Sequence, residues 1–91
     1  MLKILPEKTT DAAVVLRLEG QVRGQWVEEL RRSCAEILSH HGNHLVLDLA
    51  EVSFIDANGI GLFRELRARH VALSNCSLFA AEQLKEMGWG L

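Results

Sequence analysis

Apolar residues recur along this chain in two rhythms, simple alternation and three- and four-residue steps, and their succession predicts its elements. Residues 2–8 read as a first strand, and Pro6, which has no backbone N–H to donate, suits an edge. A polar connection, Thr9 to Ala12, leads to Val14-Val15-Leu16-Arg17-Leu18, a second strand ending at Glu19-Gly20. So short a connection predicts an antiparallel hairpin. From Gln25 to His40 the spacing turns helical: Trp26 or Val27, Leu30, Cys34, Ile37 and Leu38 form a stripe, and Glu28, Arg31, Arg32 and Glu36 fill the other side. His40-His41-Gly42 supplies a basic last turn and a C′ glycine. Leu45-Val46-Leu47-Asp48-Leu49 is nearly all apolar, as expected of a strand buried on both faces of a parallel sheet. Gly59 to His70 reads as a second helix, with Ile60, Phe63 and Leu66 facing inward and Leu62 beside them. Val71-Ala72-Leu73 is a short strand. Ser77 then caps a third helix, striped by Ala80, Ala81, Leu84 and Met87 and ended by Gly88. The order ββαβαβα predicts an α/β fold: a central, mostly parallel four-stranded sheet, an N-terminal antiparallel hairpin, and helices packed on the sheet through right-handed crossovers.

Composition narrows what such a fold is for. At 91 residues the chain is a single domain, and a hydrophobic fraction of 48% excludes disorder as its overall state. A net charge of −2 argues against nucleic acid as partner, because that binding is dominated by neutralised phosphates. Arg64, Arg67 and Arg69 read as one solvated helix face. No apolar run is long enough to span a bilayer and the N-terminus carries no signal-peptide pattern, so a cytoplasmic protein without membrane insertion is expected. Cys34 and Cys76 lie on apolar-patterned segments with no CxxC spacing, which predicts buried, reduced thiols.

The stretch richest in chemistry is Leu47-Asp48-Leu49-Ala50-Glu51-Val52-Ser53-Phe54-Ile55-Asp56-Ala57-Asn58-Gly59-Ile60-Gly61-Leu62. It reads as a buried strand, a short loop holding the apolar pair Phe54 and Ile55, and a helix capped by Asp56. In open α/β sheets such a loop lies beyond the carboxyl ends of the strands, where ligands and partners dock. Spacing alone leaves two readings side by side. Asp56 caps the helix and Gly59 permits a tight entry, or the same residues form a docking loop. Asn58-Gly59 is also a hairpin signal, but the residues after it follow helical spacing.

This run resembles the signature of the STAS domain, found in bacterial anti-sigma factor antagonists and in the tails of sulfate transporters. That signature is an apolar strand ending in Asp-Leu, then Val-x-Phe-Ile-Asp-Ser-Ser-Gly-Leu-Gly. The chain offers Asp48-Leu49, Val52, Phe54-Ile55-Asp56 and Gly59-Ile60-Gly61, and Leu18-Glu19-Gly20-Gln21-Val22 resembles the end of the family's second strand. The resemblance covers about residues 14 to 87. It implies a non-enzymatic regulatory module that binds a partner through Phe54, Asp56, Ala57, Asn58, Gly59 and Ile60. The partner it implies is a kinase-like anti-sigma factor, or the ATPase of a lipid-transport ABC assembly. In the classical antagonists the two positions after the loop aspartate are serine or threonine, and one is phosphorylated. Here they are Ala57 and Asn58, neither of which accepts a phosphate. Family members also commonly continue into another strand and helix, so a shortened domain is expected, with an exposed sheet edge that leaves room for a homodimer.

Other constellations carry less. His40, His41 and His44 with Cys34 match no zinc spacing, so no metal is expected. Asp48 and Asp56 have no nucleophile or base at a recognisable spacing, so catalysis is not expected. Gly59-Ile60-Gly61 lacks the third glycine and the Lys-Ser or Lys-Thr of a phosphate loop, so it is not read as one, and no cofactor is expected. Trp26 and Trp89 read as packing residues.

Overall fold

The computed structural model describes residues 1–10, 12–41 and 44–86. Gly42, Met87, Gly88 and Trp89 therefore lie outside the described residues. The elements in chain order are β1 (Leu2–Thr9), β2 (Ala13–Val22), α1 (Gln25–His41), β3 (His44–Ile55), α2 (Ala57–Ala68), β4 (Ala72–Ser74) and α3 (Leu78–Glu86). The sheet runs β1-β2-β3-β4. β1 is antiparallel to β2 and the other neighbours are parallel, as expected from the short first connection and the alternation of strands with helices. Pro6 lies on the edge strand, where its missing N–H costs no ladder bond, and the register slips between Pro6 and Lys8.

One face of the sheet carries the core. Val14, Leu16 and Leu18 of β2 and Leu45, Leu47 and Leu49 of β3 are buried. They join one cluster with Val27, Leu30 and Cys34 of α1, Leu62, Phe63 and Leu66 of α2, and Ala80 and Leu84 of α3. The intervening positions Val15, Arg17 and Val46 are only half-buried. The expectation that β3 is buried on both faces thus holds for one face. On the other, the buried position is a charge, Asp48.

Two strands outrun their predicted ends. β2 continues past Gly20 to Val22, and β3 absorbs the segment read as a loop, ending at Ile55. The reason is a pair of bulges. Arg17 pairs with Asp48 but Glu19 with Glu51, and Gly20 pairs with Val52 but Gln21 with Phe54, so β3 carries an extra residue each time. Each bulge re-phases the strand. Burial therefore falls on Leu49, Val52 and Ile55, three residues apart, and the two-residue alternation that signals a strand is lost.

The extra residues need partners for their backbone groups. The Asp48 carboxylate accepts from the Ala50 N–H (3.0 Å) and from the Asn75 side-chain amide (3.3 Å). β4 pairs with β3 only over Val46–Asp48, and Ser77 serves the residues beyond. Its N–H donates to the Leu49 carbonyl (3.2 Å) and its hydroxyl to the Val52 carbonyl (2.7 Å). The same hydroxyl oxygen accepts from Ala80 N–H (3.1 Å), which is the α3 cap expected of Ser77.

α2 begins two residues before its predicted start, directly after the Asp56 cap, and stops at Ala68, not His70. Its end is a Schellman motif: His70 N–H donates to the Arg67 carbonyl and Val71 N–H to that of Leu66, with His70 at φ +64°. Gly20 meets a stricter condition. Its φ is +111°, and an added Cβ would lie 2.3 Å from the Met1 carbonyl oxygen, itself the acceptor of the Gln21 N–H.

Two substitutions test this backbone account by urea unfolding. Gly20→Ala is expected to lose about 1–3 kcal/mol, through both the backbone conformation and the clash with Met1. His70→Gly is expected to gain about 0.5–1 kcal/mol, because glycine adopts the left-handed C′ position without penalty.

Candidate functional site

The carboxyl ends of β2 and β3 lie side by side, Val22 opposite Ile55, and each strand hands over there to a helix start. Asp56 joins the two. Its N–H donates to the Val22 carbonyl (3.0 Å), Oδ1 accepts from Gly59 N–H (2.7 Å) and Oδ2 from Gly24 N–H (2.9 Å). The first of these carboxylate bonds caps α2 and the second ties the β2–α1 turn to it. Burial by itself pushes the Asp56 pKa up. The amides of Gly24, Gly59 and Asn58 and the charge of Arg23 outweigh that and hold it below the usual carboxylate range. Gly59 is buried, and an added Cβ would lie 2.8 Å from both the Val22 carbonyl oxygen and Ile55 Cγ2. The glycine lets the first turn of α2 sit directly on the strand ends. Gly61 has open space where its side chain would be, so no close approach within the chain requires a glycine there.

Around this junction the predicted residues divide. Ala57 and Asn58 are exposed in the first turn of α2, Ile60 is half-buried, and Phe54 is 37% exposed. Beside Asn58 opens a groove of about 390 Å³ between α1 and α2, lined among others by Val27, Glu28, Arg31, Gly61 and Glu65. Arg31 spans it. Its Nε and Nη2 lie 3.1 and 3.0 Å from Glu65 Oε2, and its Nη1 is paired with Glu28. The one cation of the groove lining is thus neutralised by two carboxylates.

On the other side of Phe54 the structure brings up residues that sequence reasoning passed over. The ring of Phe79 lies 6.0 Å from that of Phe54, and the Arg23 guanidinium lies 5.9 Å from the Phe54 centroid. Leu78 is 89% exposed. Leu78-Phe79 precedes the Ala80–Leu84 stripe and falls off its phase, the only sign in the sequence that these two large apolar side chains face outward.

The remaining candidates are accounted for within the fold. Asp48 lies near the middle of β3 and Asp56 just beyond its end, roughly 20–25 Å apart along the strand, so they form no acid pair. Burial works against the Asp48 charge. The Ala50 amide, the Asn75 side chain, a bond from Glu7 and the charge of Arg17 reverse that, so its pKa is lowered, while the bond to Asp48 raises that of Glu7. Both cysteines are free. Burial pushes the Cys34 thiol up to about 12 and raises that of half-buried Cys76, so both remain protonated thiols at neutral pH. Among the described residues, no three His, Cys, Asp or Glu side chains converge as for a metal ion, and no helix is long and apolar enough to cross a membrane.

Comparison with known proteins matches these features to a family. The family model described as "Mlab, STAS domain" matches residues 6–88. The fold superposes on the anti-sigma factor antagonist SpoIIAA in its unphosphorylated form with a TM-score of 0.74 and 25% identity, over 94% of this chain and 81% of that one. On the Bacillus cell fate determinant SpoIIAA in the phosphorylated form the TM-score is 0.67, again at 25% identity, over 94% of this chain and 84% of that one.

Removing the Asp56 carboxylate as Asp56→Ala is expected to lose about 1–2 kcal/mol in urea unfolding, because two backbone amides lose their acceptor. Because the folded pKa is depressed, the stability this group contributes is fully present above its unfolded value of about 3.9 and is lost as the pH falls through the folded one. Asp56→Asn keeps a capping oxygen but does not titrate. Its unfolding free energy is therefore expected to fall less steeply than that of wild type on acidification below about pH 5.

Proposed function

The chain belongs to the STAS-domain family, and from that premise we propose that it is a non-catalytic regulatory module that binds a protein partner at the β3–α2 junction. Phe54, Ala57, Asn58 and Ile60 supply the contact surface. Asp56 and buried Gly59 hold it in shape. The partner is of the kinase-like anti-sigma factor class, met in a bacterial cytoplasm as part of transcriptional regulation. The observation that carries this reading is the exposure of Ala57 and Asn58 at the start of α2, beside a groove and an exposed phenylalanine. These are the two positions where the family resemblance implies the phosphoacceptor.

The same two residues set what the site cannot do. An alanine and an asparagine accept no phosphate, so docking here is not switched by adding about −1.5 to −2 charge at the helix start. Ser53 is no substitute. It lies within β3, and its hydroxyl donates to the Gly20 carbonyl at 3.2 Å. Catalysis finds no support at the junction, where both Asp56 oxygens already accept from backbone amides.

Capture of partners from the native cytoplasm, with wild type and Asn58→Arg compared, tests the surface. The arginine adds bulk and charge at an exposed position, so partner yield is expected to fall at least about tenfold, the cost of burying an imperfectly paired charge. Unchanged partners at unchanged yield would place the interface elsewhere. An anti-sigma factor among the captured proteins supports the reading, whereas an ATPase with its permease assigns the chain to a lipid-transport assembly. In a kinase assay no phosphate is expected at 57–58 of wild type, and Asn58→Ser is expected to gain it when a cognate kinase is supplied.

A further inference from the structure

The sequence contains a single Asn-Gly pair, Asn58-Gly59, and it falls in the first turn of α2. In a flexible chain this dipeptide is prone to react with itself, because glycine puts no Cβ in the way of ring closure. The Gly59 amide nitrogen gives its proton to a solvent base and attacks Cγ of Asn58. The new N–Cγ bond closes a five-membered imide, and the Cγ–Nδ2 bond breaks, with Nδ2 leaving as ammonia after taking a proton from water. Water then adds to either imide carbonyl and opens the ring, leaving aspartate or its β-linked isomer at position 58. The sum is amide plus water giving carboxylate plus ammonium, with no oxidant, metal or enzyme.

The fold controls the nucleophile. The Gly59 N–H is the group that Asp56 Oδ1 accepts at 2.7 Å. A proton held by a carboxylate is hard to remove, and the adjacent negative charge opposes an amide anion. Gly59 is also wedged against the Val22 carbonyl and Ile55, so its nitrogen stays in place while the start of α2 is docked. The electrophile, by contrast, is open: Asn58 is exposed at the mouth of the groove, where water reaches its Cγ. We propose that Asn58-Gly59 is a latent self-modification site, with water as co-substrate, which the Asp56 cap holds shut. Conversion of Asn58 to a carboxylate then requires the start of α2 to open. The product is a lasting negative charge in the first turn of α2, where the helix dipole favours an anion. Only in that this charge falls on the docking surface does the inference rest on the function proposed above.

The test is a time course of peptide mapping at neutral pH and 37 °C, following loss of the Asn58 amide and appearance of the aspartyl and β-aspartyl products, with folding checked by circular dichroism. Asp56→Ala is expected to convert about 5–30-fold faster than wild type, in proportion to the extra opening that loss of the cap allows. Asp56→Asn, which still caps but no longer places a negative charge beside the amide, is expected to convert faster than wild type and more slowly than Asp56→Ala. Asn58→Gln, whose longer side chain does not close a five-membered ring, is expected to show no conversion at 58. Equal rates in folded wild type and folded Asp56→Ala overturn the proposal. If Asp56→Ala does not fold, wild type alone decides: conversion in native buffer as fast as in urea overturns it, and slower conversion upholds it. These rates do not depend on any partner, so failure of the docking reading leaves them unchanged.

Discussion

The Asp56 carboxylate is the joint on which this domain turns. A parallel sheet brings the ends of β2 and β3 together, and both chains must leave in helices from the same edge. The starts of those helices leave backbone N–H groups without intrahelical acceptors. One carboxylate, with an oxygen for each side, accepts from Gly24 before α1 and from Gly59 in α2. That arrangement also explains Gly59. A side chain there would collide with Val22 and Ile55, lifting the capped turn away from the strands it is tied to.

Upstream, the same demand for backbone partners explains why a charge is buried in the sheet. β3 is longer than the neighbours that pair with it, and two bulges let it keep register with β2 while its side chains change phase. Asp48 satisfies the amide of the first bulge, and Ser77 takes the carbonyls beyond the end of β4. Asp48 and Asp56 have the chemistry of an acid pair, but each is spent on donors of its own, the Ala50 N–H and the Asn75 side-chain amide for Asp48 and the Gly24 and Gly59 amides for Asp56. What remains on the surface near the junction is an amide, a small apolar side chain, two aromatic rings and a groove whose one cation is paired with two carboxylates. Such a surface is suited to recognition by shape and apolar contact, with polar groups fixing orientation.

The family resemblance and this geometry explain different things about one motif. Asp56 and Gly59, which match the family signature, are the residues whose contacts hold the junction together. The side chains of Ala57 and Asn58, which depart from it, are exposed, and of these two residues only the Asn58 backbone amide takes part in the joint. Replacement of these two side chains therefore alters the surface at the junction and not the bonds that hold it together.

The order of elements, the antiparallel hairpin, the edge placement of Pro6 and the capping roles of Asp56 and Ser77 were legible in the sequence, because each rests on local periodicity or on a side chain serving its own neighbours. The limits of β2 and β3 were not. Bulges replace alternation with three-residue steps, so Phe54 and Ile55 read as a loop until the pairing with Gln21 and Val22 is seen. Within the candidate site, the sequence singled out Phe54 and residues 56–60, since they follow one another along the chain. Tertiary structure alone decided that Asp56 also holds Gly24, thirty-two residues away, and that Phe79 lies beside Phe54. The physical reason is range: capping and periodicity act over a few residues of chain, whereas these contacts exist only once parallel strands have brought distant segments to a common edge.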